Sequence, residues 1–183
     1  MPEIDRDKLI EGMEKAMDNK EAIQSRLEVR HTEERSILAL NDTIEHGRLK
    51  QYAKVETDEN KVKLTIEMPF FFDPGSAMIN PEAQRALEGL ATPIRDFPHQ
   101  VIVEGHTDNV PVVSGRYPSN WELSVARAVS VIDFFVQRGI RPSKLVAGGY
   151  GQYRPVHDND TPEQRSLNRR IEITLLRSPE AAR

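Results

Sequence analysis

The sequence predicts a mixed α/β fold of two layers: a four- to five-stranded sheet with helices on one face, preceded by an N-terminal helix. Three observations lead there. The run Val101-Ile102-Val103, closed by Gly105, is continuously β-branched, as in a strand covered on both faces. Lys61 to Met68 and Arg170 to Leu176 alternate apolar and polar residues with period two, which marks strands with one buried face. The segment after Ser119 repeats apolar residues at helical spacing instead.

In chain order, Arg6 to Glu45 contains no proline and one glycine, Gly12. Leu9, Ala16, Ile23, Ile37 and Ile44 fall on a seven-residue repeat broken by Arg30, and Met13 and Leu27 on a second one broken by Lys20. This weak heptad fits a helical linker pairing with its copy in a dimer, an amphipathic helix or helix pair packing on its own domain, or a mobile segment. Tyr52 to Thr57 and Lys61 to Met68 flank Asp58-Glu59-Asn60 as a hairpin, with Val62, Leu64 and Ile66 turned to the core. The phenylalanines of the turn from Phe70 to Ala77 plug that core. Asn80-Pro81-Glu82 starts a helix, with Asn80 as capping side chain and Ala83, Leu87, Leu90 and Ile94 on its buried side.

After the central strand, Ser119 and Glu122 have the spacing of a capping box, and Trp121, Val125, Ala128, Ile132 and Phe135 form the expected buried stripe. Gly139 ends the helix, Leu145-Val146-Ala147 is a short strand, and Thr161-Pro162-Glu163-Gln164 caps a last short helix before the closing strand with Ile171, Ile173 and Leu175 inward. The order is β-β-α-β-α-β-α-β. Segment boundaries are expected at 1–50 for the helical linker, 51–178 for the domain and 179–183 for a tail.

Asp108 lies just past the central strand, at the carboxyl end where open α/β sheets place their ligands. Arg127 shares a helix flank with Asn120 and Ser124 and leans toward the helix N-terminus. An anion and a cation thus converge on one notch, suited to a small zwitterion. Composition narrows the partners. Residues 1–50 carry 9 basic and 12 acidic side chains, the remainder 16 and 17, and so near-neutral a domain without a basic stripe argues against nucleic acid. There are no cysteines, so disulfides and thiolate metal sites are excluded. No apolar run approaches the ~20 residues that cross a bilayer.

Glu104-Gly105-His106-Thr107-Asp108, Leu123-Ser124 with Arg127 and Ala128, Gly149-Tyr150-Gly151, Pro155 and Asn168-Arg169-Arg170-Ile171-Glu172-Ile173 together resemble the peptidoglycan-binding OmpA-like domain, over roughly residues 62–177. The Asn109-Val110-Pro111 turn, the loop to Tyr117-Pro118 and Ser119-Asn120-Trp121-Glu122-Leu123-Ser124 are similar to the MotB- and PomB-type flagellar stator subunits within that family. The resemblance implies an OmpA-like sandwich that anchors a motor stator to the wall without catalysis. Its ligand is peptidoglycan, with the diaminopimelate ammonium on Asp108 and its carboxylate on Arg127, Arg127→Lys losing most binding. Thr107 and Asn120 are secondary ligand contacts or loop hydrogen bonders. Asn168 and Arg170 match the family's Asn-Arg-Arg motif, Arg170 being preferred over Arg169 for the site or the glycan and a structural ion pair being its other reading.

The resemblance further implies a periplasmic domain of an inner-membrane protein, with the membrane anchor upstream of Met1. Its partners are a second copy in a homodimer, a channel-forming MotA- or PomA-type subunit, and flagellar basal-body ring proteins. A tether for a secretion system or a lipoprotein is the alternative. Catalysis is disfavoured: His106 and Asp108 stand at i and i+2 in a turn with no nucleophile elbow or His-Glu-x-x-His pattern. No cofactor or metal is expected, since the remaining histidines are scattered, and His106 is expected to pack beneath the loop.

Overall fold

The computed structural model describes residues 6–112 and 116–178, with side chains from Ile10 onward; the 179–183 tail lies outside the described residues. Helix α1 (Arg6–His46) leads into the hairpin β1 (Ala53–Thr57) and β2 (Lys61–Glu67), then α2 (Met68–Phe71) and α3 (Pro81–Asp96). Strand β3 (Val101–His106), α4 (Asn120–Val136), β4 (Leu145–Gly151), α5 (Pro162–Asn168) and β5 (Arg170–Leu176) follow. The sheet order is β1-β2-β5-β3-β4, antiparallel except for the parallel pair β3 and β4. The expected architecture is therefore present, with five strands and the short extra helix α2 where a turn was expected.

Period-two patterning builds the sheet. Val62, Leu64 and Ile66 of β2 and Ile171, Ile173 and Leu175 of β5 are all fully buried. They meet Ala83, Leu87, Leu90 and Ile94 of α3, buried to the same degree, and Phe70, Phe71 and Phe72 fill the end of this core. Each of these valine, leucine, isoleucine and phenylalanine side chains contributes about 1.5–3 kcal/mol on burial. Asn80 stands at the N-cap of α3, but its side chain makes no capping hydrogen bond; Pro81 and Glu82 carry the helix start without it. Gly139 follows α4 at φ +82°, in the left-handed region expected of a helix-ending glycine.

Helix α4 packs on β3 and β4. Its buried side differs from the expected stripe: Leu123, Ser124, Arg127, Ala128, Val131, Phe134 and Phe135 are buried, whereas Trp121 is 55% exposed. The helix is rotated because Gly105 lets β3 approach it closely, so that a Cβ there would collide with the Ser124 carbonyl. Ser119 is the N-cap, accepting from Trp121 N at 3.1 Å, and its hydroxyl meets the Glu122 carboxylate. The reciprocal capping box expected here is thus not formed, whereas that of α5 is complete through Thr161 and Gln164.

Helix α1 has two different halves. Leu40 and Ile44, with Leu49 beyond, join the domain core, and α1 packs on α3. Glu33, 1% exposed, is held by Arg177 Nε at 2.6 Å and lies 3.3 Å from His99 Nε2. Earlier in the helix Ile10, Met13, Met17, Ile23 and Leu27 are all exposed. Packing on its own domain therefore describes the C-terminal part of α1, and it extends across the expected boundary at residue 50. No helix among the described residues is long and apolar enough to cross a membrane.

Candidate ligand-binding cleft

At the carboxyl end of β3 four segments surround a cleft of about 660 Å³: the α2–α3 turn with Phe72, Asp73 and Gly75, the loop after β3, the start of α4, and α5. Thr107, Asp108, Asn120, Arg127 and Arg169 supply its polar walls. Asp108 and Arg127, 19 positions apart in the sequence, thus line one cavity.

Neither group is free of protein partners. Asp108 Oδ1 accepts from Val110 N at 3.1 Å, closing an Asx-type turn, and Oδ2 accepts from Arg169 Nη1 at 2.6 Å. A carboxylate has about four lone-pair sites, so Asp108 retains acceptor capacity toward the cleft. Arg127 donates through Nε to Ser76 O at 2.8 Å and through Nη2 to Asp73 O at 3.2 Å, with its guanidinium carbon 5.3 Å from the Phe72 ring centre. Two carbonyls thus fix the fork, and Nη1 makes no hydrogen bond among the described residues. Burial, with the neighbouring Arg169 charge, pulls this guanidinium down to about 10, so it remains a cation at neutral pH.

Thr107 and Asn120 shape the loop. Thr107 Oγ1 donates to Asp108 O at 2.9 Å, and Asn120 Nδ2 reaches Val110 O at 2.8 Å, Asp108 O at 3.3 Å and Gln152 Oε1 at 3.3 Å. Both line the cleft while their donors are committed to the loop.

The Asn168-Arg169-Arg170 segment divides differently from expectation. Asn168 is fully buried and clamps a neighbouring loop, accepting from Val156 N and His157 N and donating to His157 O and Asn159 Oδ1. Arg170 points away from the cleft: Nε bonds Glu172 Oε1 at 2.7 Å, Nη1 bonds Asn168 O and Nη2 bonds Arg154 O. Arg169 faces the cleft in its place. The signal was in the sequence: if Ile171, Ile173 and Leu175 point to the helical side, Arg169 shares that side and Arg170 does not.

Beneath the cleft lies a second charged cluster. His106 is 2% exposed, stacks on Tyr150 with ring centres 5.4 Å apart, and has no hydrogen bond at either ring nitrogen. Burial, reinforced by Arg170, draws its imidazole down to about 4 despite the opposing charge of Glu172. Burial also pushes the Glu172 carboxyl up, but hydrogen bonds from Arg170 and Lys63 more than reverse this and keep it ionised. His106 therefore sits neutral in a packed site. Among the described residues no group of three or more His, Asp or Glu side chains is placed to hold a metal ion.

One sheet end of an α/β sandwich thus carries an acid and two guanidiniums around an open cleft. The chain belongs to the OmpA family, whose model matches residues 71–169. Motility protein B of Bacillus subtilis is 36% identical over 135 residues, covering 73% of this chain and 52% of that protein, and YtxE of the same organism is 39% identical over 140 residues, covering 76% and 58%. The chain thus spans between half and three-fifths of these curated relatives. Among solved structures, a protein described as MotB-like from Desulfovibrio vulgaris superimposes with a TM-score of 0.72 at 30% identity, covering 82% of this chain and 99% of that one. The cell wall anchor of the T6SS from Pseudomonas aeruginosa does so at 0.71 and 34%, covering 76% and 97%.

Proposed function

We propose that the chain is a non-catalytic peptidoglycan-binding domain that anchors a flagellar motor stator to the cell wall. The observation that carries this reading is the shared cleft of Asp108 and Arg127. Diaminopimelate ends in an ammonium and a carboxylate on one carbon; the ammonium goes to Asp108, and the carboxylate to the remaining edge of the Arg127 fork. Arg169 leaves the cleft with an excess positive charge, which suits a further carboxylate of the same stem peptide. Thr107 and Asn120 hold the loop in the binding shape, and Asn168 and Arg170 support it from below.

Charge-assisted hydrogen bonds contribute about 1.5–3 kcal/mol each. Two of them place a single stem in the range from millimolar to tens of micromolar, and repetition along the polymer strengthens attachment through effective concentration. The domain works in the periplasm, carried by an inner-membrane protein with a MotA- or PomA-type channel partner. The exposed N-terminal part of α1 lies between membrane and wall, and its Ile10, Met13, Met17, Ile23 and Leu27 favour pairing with a second copy. Basal-body ring proteins are neighbours in such an assembly.

Co-sedimentation with purified sacculi tests the reading. Asp108→Asn and Arg127→Lys are each expected to lower the association constant at least about tenfold, a loss near 1.4 kcal/mol. Equal sedimentation of wild type and both variants contradicts it. The second reading, a wall tether of a secretion system, is favoured by the likeness to the T6SS anchor. Restoration of swimming by the encoding gene, expressed with its channel partner in a stator-deficient cell, selects the stator reading over it.

A further inference from the structure

Beside the cleft, two large aromatic rings stand in solvent. Trp121, the chain's one tryptophan, is 55% exposed on the first turn of α4, and Tyr153, just past β4, is 70% exposed. Their ring centres are 6.0 Å apart, tilted by 56°, and neither joins the hydrophobic core. Fixed backbone brings them together. Gly151, at φ +52°, ends β4 against the start of α4, where a Cβ would come within 3.1 Å of Trp121 N. Gly151 N donates to Ser124 Oγ at 2.9 Å, and Tyr153 N closes the turn onto Tyr150 O at 3.0 Å. One side chain separates this pair from the charged cleft: Asn120, whose amide bonds Asp108 O on one side and Gln152 Oε1 on the other.

We propose that Trp121 and Tyr153 form a stacking platform for a pyranose ring of the glycan strand whose stem peptide occupies the cleft. The inference rests on the peptidoglycan reading above. Sugar rings present an apolar C–H face ringed by hydroxyls, matching an aromatic surface with polar tips at its edge. Gln152 engages its amide oxygen with Asn120, so its NH2, with no hydrogen bond among the described residues, is available to a sugar oxygen. A stem extended at ~3.5 Å per residue puts its sugar about 10 Å from the third-position residue, so a sugar site must lie beside the cleft rather than within it. Continuity with the cleft favours a sugar over a separate protein partner.

The intrinsic emission of the sole tryptophan and calorimetry on the full chain provide the test, with three probes: the free stem tripeptide containing diaminopimelate, the same peptide on its disaccharide, and peptide-free glycan strands. The disaccharide form is expected to shift Trp121 emission and to bind about fivefold tighter than the free peptide. Trp121→Ala and Tyr153→Ala are each expected to abolish that advantage in calorimetry while the free peptide binds them as it binds wild type. Equal affinity of wild type for both peptide forms overturns the platform, as does an equal loss for both forms in Trp121→Ala, or an emission shift that follows protein concentration alone and so reports a second copy. Binding of glycan strands lost in Trp121→Ala, with no binding of free peptide to wild type, supports the platform and instead removes the diaminopimelate cleft.

Discussion

Arg169 and Arg170 are neighbours in sequence and opposites in situation. Arg169 lies on the helical side, partly exposed, with one hydrogen bond to Asp108 at the mouth of the cleft. Arg170 lies on the other side of the sheet, 3% exposed, its donors committed to Glu172 and two carbonyls. Similar charges thus line an open cleft in one place and are sealed into the fold in the other. What separates the roles is the alternation of a strand start, which sends one guanidinium to a cavity and seals its neighbour between polar partners. Removing a partner from a fully buried pair leaves an uncompensated charge, whereas the Arg169–Asp108 pair is buried only on the acid's side and its arginine is partly solvated.

The largest effect expected from this contrast is on folding. Arg170→Ala is expected to destabilise the domain by about 3–5 kcal/mol in urea unfolding, because Glu172 is left buried without its main partner. Arg169→Ala is expected to cost less, about 1–3 kcal/mol, because the buried Asp108 keeps its Val110 hydrogen bond but loses its charged partner, while weakening attachment to sacculi. A reversed pattern breaks the assignment of the two arginines.

The next effect is a pH dependence confined to the sealed side. His106 takes a proton near pH 4 in the folded chain and near 6.5 when unfolded. Between these values the unfolded state binds more protons, so stability is complete above about pH 6.5 and falls as pH drops toward 4. The expected loss is about 1–3 kcal/mol, opposed by neighbouring Glu172 and reinforced by Arg170, Lys63 and Arg154. His106→Gln should flatten this part of the profile, measured as the difference in urea midpoint between pH 4.5 and pH 7. An unchanged slope removes His106 as its source.

The smallest effect concerns the support of the open side. Thr161→Ala removes the capping box of α5, whose Pro162 and Arg165 line the cleft and whose end leads into Arg169. A loss of about 1 kcal/mol is expected, with a modest weakening of sacculus binding and no change in the pH profile.

The sheet and its core were legible because alternation and β-branched runs report burial directly, as Val62, Leu64, Ile66, Ile171 and Ile173 show. The convergence of Asp108 with Arg127 followed from the strand end and the helix start. Less legible was which polar residues the fold would bury. Ser124 and Arg127 face inward and Trp121 outward because of the close approach at Gly105, a tertiary effect that apolar spacing does not encode. The carbonyls of Asp73 and Ser76 that fix Arg127 lie some fifty residues earlier, and no local pattern joins them to α4. The arginine choice was readable from Ile171 by parity, a step the motif match obscured.

The most direct measurement is calorimetric titration of the chain with two stem peptides identical except at one position, diaminopimelate or lysine. Lysine keeps the ammonium and lacks the terminal carboxylate, so only the Arg127 contact is removed. The expected result is binding of the diaminopimelate peptide and at least about tenfold weaker binding of the lysine peptide, with the difference erased in Arg127→Lys. Equal affinity for the two peptides in the wild-type chain contradicts the account.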